Sequence, residues 1–216
     1  AVLLGYLCGK VLNKARGKEL VSSYILGFFI NRLYQSVGLY MMGKIIPIIK
    51  PEILISRGYG IRNAVSLVGI RGALDKFLDL KIMGVAIPVT TYLVIVLFCF
   101  FIVWIKNTKI GQDMRAVGQN ISVAELSGIN VNRTRTISII ISTVLASYGQ
   151  IIFLQNLGTM NTYTSHEMAG VFSIAALLVG GATVAKASLV NVFLGVVLFH
   201  MLFIISPMAG KRLIGS

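Results

Sequence analysis

The sequence predicts an all-α fold, a polytopic transmembrane helical bundle with a broken or re-entrant helix near its end. Three observations predict it. Hydrophobic residues make up 56% of the 216-residue chain, and its mean hydropathy is +0.85. Only 12% of residues are charged, about half the share needed to cover a water-facing surface. Those charges are bunched, so long apolar runs carry none.

Composition also excludes several classes. A net charge of +13 suits nucleic acid when the cations line one soluble face. Here Lys and Arg fall between apolar runs, the arrangement expected of membrane topology, so nucleic-acid binding is excluded. Cys8 and Cys99 lie in apolar stretches, against a disulfide framework or a zinc site, which needs about four clustered ligands. They are read as inert buried thiols. The first apolar run, 1–8, precedes Lys10, Lys14, Arg16 and Lys18. That order is the reverse of a signal peptide and suits the tail of a span. The abrupt ends lead us to expect a piece of a longer polypeptide, with residues 1–216 one transmembrane domain incomplete at both ends.

A span needs about 20 mainly apolar residues. The segment 20–42 has the length but contains Asn31, Arg32 and Gln35; 84–105 is uncharged and closes on Trp104 and Lys106, an interfacial anchor followed by a charge. The segment 136–154 is uncharged and dotted with small polar residues. From 171 to 205 the chain is apolar but interrupted at Gly180, Gly181 and Lys186. It reads as two segments, 171–184 and 189–205, the first short enough for a re-entrant or broken helix. The mixed region 43–83 holds Pro47, Pro51 and ten charges, with 73–80 expected as a short amphipathic helix.

Orientation follows from the basic residues: four in 9–19, five in 106–135 and seven in the longer 43–83. The first segment is densest, so it and 106–135 are placed on the cytoplasmic side.

The 106–135 loop reads KNTKIGQDMRAVGQNISVAELSGINVNRTR. Its middle, 114–128, is compatible with helix, with apolar contacts from Ala116, Val117, Ile121, Val123, Ala124 and Leu126. Asn120 or Ser122 is suited to cap a short helix that stops at Gly128. Such a helix, with apolar knobs and basic ends, fits a groove on a cytoplasmic partner. The alternative is an ordinary solvated loop.

The run RAVGQN (115–120) followed by AELSGINVNR (124–133) resembles the coupling segment of bacterial ABC-importer permeases, in the branch serving simple sugars, nucleosides and branched-chain amino acids. In that family the pattern precedes a small-residue-rich span and a Gly-Gly segment, matched here by 136–154 and by LVGGAT (178–183). The likeness is strongest over 106–205 and weaker over 10–105. The chain departs from the family at 185–188, where Ala-Lys-Ala-Ser replaces a glycine-rich run.

The resemblance implies a permease subunit in a bacterial inner membrane, paired with a second permease, identical or related. It implies two cytoplasmic ATPase subunits and an extracytoplasmic solute-binding protein as partners. This chain would bind no cofactor, ATP and Mg belonging to the partner ATPase. Arg115, Gly118, Asn120, Glu125, Gly128 and Asn130 are the expected coupling residues, although Glu125 also suits a capping-box partner of Ser122.

No P-loop or metal-ligand spacing is present in the sequence, so ATP hydrolysis is assigned to partners and catalysis is not expected of this chain. Polar residues within spans point to function by default. Tyr24, Gly27, Asn31, Gln35 and Gly38 recur at helical steps on one face, suited either to a pathway for hydroxylated solutes or to helix packing. Arg32 admits a water-facing or internally paired position, or snorkelling to an interface. In 136–154, Gln150 is the residue placed on the pathway; Ser138, Ser142 and Ala146 are read as packing residues. Gly180 and Gly181 suit either a gate-like break or tight packing. His166 and Glu167 are placed at the outer surface. The alternative function is a secondary transporter or channel working without an ATPase, which needs intramembrane acids or an ion site; the assigned spans hold no acid.

Overall fold

The computed structural model describes residues 1–42, 45–55, 64–76, 79–82, 85–163, 165–183 and 186–214. The described residues are mostly helical and divide into two units, Ala1–Thr162 and Tyr163–Ser216.

In the first unit, α1 (Val2–Lys14) is followed after a short turn by α2 (Glu19–Ser36). The latter continues into a π-helical turn, Val37–Met41. Short strands β1 (Ala64–Ser66), β2 (Asp79–Ile82) and β3 (Val85–Pro88) then lead into α3 (Val89–Asn107). Next come α4 (Lys109–Gln119), α5 (Ile121–Leu126), α6 (Val131–Leu157) and β4 (Thr159–Asn161). The second unit holds α7 (Ser165–Val179) and α8 (Leu189–Ile214).

Among the described residues, three helices are long and apolar enough to cross a membrane: Val89–Asn107, Val131–Leu157 and Leu189–Arg212. Of these, α3 and α6 cover the segments 84–105 and 136–154 expected from sequence, and α8 contains the apolar segment 189–205. The segment 20–42 is helical through α2 and its π-helical turn, and with Asn31, Arg32 and Gln35 in it α2 is less apolar than these three. Large apolar side chains are exposed on them, such as Phe100 on α3 and Ile204 on α8, and on α2 as well, where Ile25 is exposed. A soluble domain would bury them; a bilayer covers them instead. The multi-pass membrane reading rests on this pattern.

The boundaries also move. The helix expected from residue 84 begins at Val89, because Pro88 lacks an N–H and holds its predecessor extended, while the β-branched residues before it pair in the β2–β3 hairpin. The described part of the 73–80 stretch is not a helix: 71–76 are turns and Leu80 lies in β2. Gln155 is the physical reason. Its backbone carbonyl accepts from the Gly72 N–H (3.2 Å) and its side-chain Oε1 from the Leu74 N–H (3.3 Å), while Asp75 accepts from the Thr91 hydroxyl (2.6 Å). So short a helix does not form without packing. The all-α expectation is therefore modified by two small antiparallel pairs, β1–β4 and β2–β3.

Within the first unit α1 lies along α6. Gly5 and Gly9, spaced as a small-xxx-small pair, allow the approach: a Cβ at Gly5 would stand 2.9 Å from the Ile140 Cα, and one at Gly9 3.1 Å from the Thr136 Cα. Asn13, one turn further on, donates to the Asn132 carbonyl and the Thr136 hydroxyl, both at 2.9 Å. Gly5→Leu is expected to lower stability by about 1–3 kcal/mol through overpacking, read as the unfolding midpoint in detergent; an unchanged midpoint would show that the seam has slack.

In the second unit α7 ends in a Schellman motif. Gly181 is left-handed (φ 81°), its N–H donates to the Leu178 carbonyl (2.9 Å), and the Ala182 N–H donates to that of Leu177 (3.2 Å). Ser188 and Asn191 then form a reciprocal capping box at the start of α8: the Ser188 N–H donates to Asn191 Oδ1 (3.1 Å) and the Asn191 N–H to Ser188 Oγ (3.3 Å). The helix break expected at Gly180 and Gly181 is thus present, with α7 too short, at about 22 Å, to cross a bilayer alone. The rings of Phe172, Phe199 and Phe203 pack together across α7 and α8.

Candidate coupling and translocation site

The 106–135 segment is built from three helix junctions, each specified by a polar cap. Thr108 caps α4, its hydroxyl donating to the Ile105 carbonyl (2.6 Å) and accepting from the Gly111 N–H (3.4 Å). Asn120 ends α4 and caps α5, its side chain accepting from the Val123 N–H (3.2 Å). Asn130 caps α6 by accepting from the Arg133 N–H (3.1 Å). Between them α5 closes in a second Schellman motif, with Gly128 at φ 79°, its N–H on the Glu125 carbonyl and the Ile129 N–H on that of Ala124, both at 3.0 Å.

The apolar residues divide by face. Val117, Ala124 and Val131 form a small core, one from each of α4, α5 and α6, with Ala116 and Ile129 against it. Ile121, Val123 and Leu126 point outward; Leu126 is 89% exposed. Arg115, Gly118, Asn120, Gly128 and Asn130 are exposed on the same segment. Between α4 and the start of α6 a cleft of about 500 Å³ is lined in part by Lys109, Asp113, Ser127, Asn130 and Arg133.

The segment is more helical than the 106–135 loop expected from sequence, since α4 and α5 fill most of it and α6 begins at Val131 rather than at residue 136. Glu125 also differs from expectation. The cap is Asn120, so Glu125 is not a capping-box partner of Ser122; its carboxylate instead accepts from Arg16 Nη1 at 2.9 Å. Arg16 Nη2 donates to Asn132 Oδ1 (2.8 Å), and Arg135 Nη2 donates to Glu19 Oε1 (3.0 Å). Backbone N–H groups of Glu19 and Gly17, and then Arg135, hold the Glu19 carboxyl below the usual carboxylate range. Its contribution is therefore complete above that range and is lost as pH falls through the lowered value.

On α2 the structure brings Asn31 and Gln35 together, with Gln35 Nε2 donating to Asn31 Oδ1 (3.3 Å). Gln35 is buried and its Oε1 accepts from Arg32 Nη1 (3.0 Å), so Arg32 is paired internally. Tyr24 is exposed and meets Phe28 edge-on at 4.8 Å. Gln150 is half-buried on α6. Gly180 lies against α8, where a Cβ would stand 2.8 Å from the Gly195 Cα. The side chain of His166 and all of Ala185 lie outside the described residues.

Sequence reasoning missed Arg16, Gln155, Asn191 and Gly195. The Gly5–Gly9 spacing and the lone Gln155 near the end of an apolar span were signals in plain view. The partners of Arg16 lie more than a hundred residues away and leave no local pattern.

A protein family described as the branched-chain amino acid transport system / permease component matches residues 1–213. The chain belongs to this family. It is a family of transport permeases rather than of catalysts. The chain is similar to the probable ABC transporter permease protein YphD of Escherichia coli K12, with 33% identity over 118 residues, covering 54% of this chain and 35% of that protein. It is also similar to the xylose transport system permease protein XylH of Haemophilus influenzae, 31% identical over 124 residues, 57% of this chain and 32% of that one. A longer match, to the autoinducer 2 import system permease protein LsrD of Photorhabdus luminescens, is 27% identical over 210 residues, 93% of this chain and 56% of that one. The chain thus spans 32% to 56% of the length of these relatives. No solved structure is matched.

Proposed function

We propose that the chain is the membrane-spanning permease subunit of an ATP-binding-cassette importer in a bacterial inner membrane, carrying a small polar solute, a sugar or nucleoside. The observation that carries this reading is α5. A six-residue helix, capped at both ends and keyed through Ala124 to two neighbours, presents Ile121, Val123 and Leu126 to the outside. An exposed apolar face on a rigid mount is suited to a groove on a partner, here the ATPase, which holds ATP and Mg. Family membership supports the reading, as do relatives named for xylose transport and autoinducer 2 import.

In this scheme Arg115, Gly118, Asn120, Glu125, Gly128 and Asn130 shape the coupling segment. A second permease completes the pathway, and a solute-binding protein delivers the solute from outside. Tyr24, Asn31, Gln35 and Gln150 line the pathway, and Gly180 and Gly181 form the break beside it. The amide pair on α2 carries both donors and acceptors, as a hydroxylated solute requires.

The test is co-purification and uptake. Leu126→Glu places a charge in the docking face, and Gly128→Val forces a β-branched residue into a left-handed position. Both are expected to reduce ATPase capture and ATP-driven uptake by about tenfold or more, in line with loss of an interface anchor, while the spans still assemble. Normal uptake in both variants, or uptake that persists without any ATPase, would overturn the reading; the latter result belongs to a secondary transporter or channel.

A further inference from the structure

Arg16 joins three elements. It lies in the turn between α1 and α2; one guanidinium nitrogen bonds Glu125 on α5 (2.9 Å) and the other bonds Asn132 in the first turn of α6 (2.8 Å). Two further ties flank it. Asn13 donates to the Asn132 carbonyl and the Thr136 hydroxyl, and Arg135 donates to Glu19 (3.0 Å). Asn13, Arg16 and Glu19 thus meet Asn132, Arg135 and Thr136 as two facing polar ladders. Through Glu125 that ladder reaches α5. The other inward contact of α5, Ala124, goes to the core it shares with α4 and α6.

We propose that the Arg16–Glu125 pair is the latch through which displacement of α5 is passed to α1 and α2, making both positioning residues in the transport cycle. The proposal rests on the importer reading above and adds to it a route. Docking through Ile121, Val123 and Leu126 moves α5; Ala124 carries that movement to α4 and α6, and Glu125 carries it to the α1–α2 turn. The pair is suited to transmission more than to holding the fold together. Its two side chains are 42% and 47% exposed, and ion pairs so open to water add little to stability. A guanidinium that gives one charge-assisted bond to Glu125 on α5 and a second bond to Asn132 on α6 nevertheless ties the α1–α2 turn to both.

Charge exchange tests the latch in the full-length permease, reconstituted in proteoliposomes with its ATPase subunits and binding protein. The variants are Arg16→Glu, Glu125→Arg and the double exchange. In the double exchange Asn132 still serves, because its amide can turn to donate to Glu at position 16. Each single variant places like charges together and is expected to cut solute carried per ATP hydrolysed by about fivefold or more, the range of a coupling free energy between two sites. The double exchange is expected to restore most of the ratio. A merely structural role would lower uptake and hydrolysis together and leave their ratio unmoved, which would overturn the latch, as would a double exchange no better than the singles.

Hydrogen exchange of the 121–126 amides, in the permease alone in nanodiscs, reads the latch without an ATPase. Faster exchange in both singles, reversed in the double, is expected; no change in the singles overturns the latch. Failure of the wild-type chain to capture an ATPase would instead count against the importer reading, so the two failures are told apart.

Discussion

Gly180→Ala is expected to lower the stability of the α7–α8 unit by about 3 kcal/mol, the upper end of the usual cost of overpacking. A Cβ at this position would fall on the carbonyl oxygen of Asn191 and stand 2.8 Å from both N and Cα of Gly195. All three are backbone atoms, so no side-chain rotation relieves the collision. The reverse approach is as close: a Cβ at Gly195 would meet the Ala176 carbonyl. Asn191 adds to the cost, since its Nδ2 donates to the Gly180 carbonyl (2.8 Å) while its Oδ1 serves the cap of α8. Separation of the helices would break that bond. Gly170→Ala on the same helix is the control, because a Cβ there meets nothing within 4 Å and alanine favours helix by up to about 1 kcal/mol over glycine. Denaturant unfolding in micelles reads both variants, and equal stability would show that α7 and α8 stand further apart.

How much of this was legible in sequence depended on how local the determining contact is. The cap at Asn120, the glycine stop at Gly128 and the break at Gly180 and Gly181 are written in adjacent residues, and each was readable or partly readable. The apolar runs of α3 and α6 were equally plain, although their starts moved by five residues each. Pro88 set the first of those starts. The second moved because Asn130, rather than the first uncharged residue, begins the helix. The 73–80 stretch was misread because its conformation is decided by Gln155, far along the chain, and β1 by its pairing with β4. The length of α2 was readable, and of the alternatives left open for Arg32 the structure shows internal pairing, with Asn31, Arg32 and Gln35 bonding along one helix. The division of the 106–135 segment into an inward face (Val117, Ala124) and an outward one (Ile121, Val123, Leu126) needed the angle between α4 and α5, which sequence does not supply. Glu125 was placed in the right segment with the wrong partner, because Arg16 is distant in the chain.

Gly111→Val is expected to have the other large effect, at the joint where α3 hands over to α4 and α5. Helix α4 begins one residue after α3 ends, so the chain turns sharply at Thr108. At Gly111 a Cβ would fall on the carbonyl oxygen of Ile105 and stand 2.8 Å from the Cα of Lys106, again backbone atoms. The same Ile105 carbonyl accepts the Thr108 hydroxyl that caps α4, so a side chain at Gly111 strikes the joint and its cap together. Opening the angle between the helices is the only relief, and it would carry Val117 away from Ala124 and Val131. The expected cost is about 3 kcal/mol for the overpacking, with about 1 kcal/mol more on loss of the threonine cap. Gly118→Ala supplies the comparison: it lies on the same helix with nothing within 4 Å of its Cβ position, so its stability should hold or rise slightly. Because the first variant displaces α5 from its mount without altering Ile121, Val123 or Leu126, it should also reduce ATPase capture. That loss separates the orientation of the docking face from its composition, and full capture by the Gly111 variant would place the docking determinants outside α5.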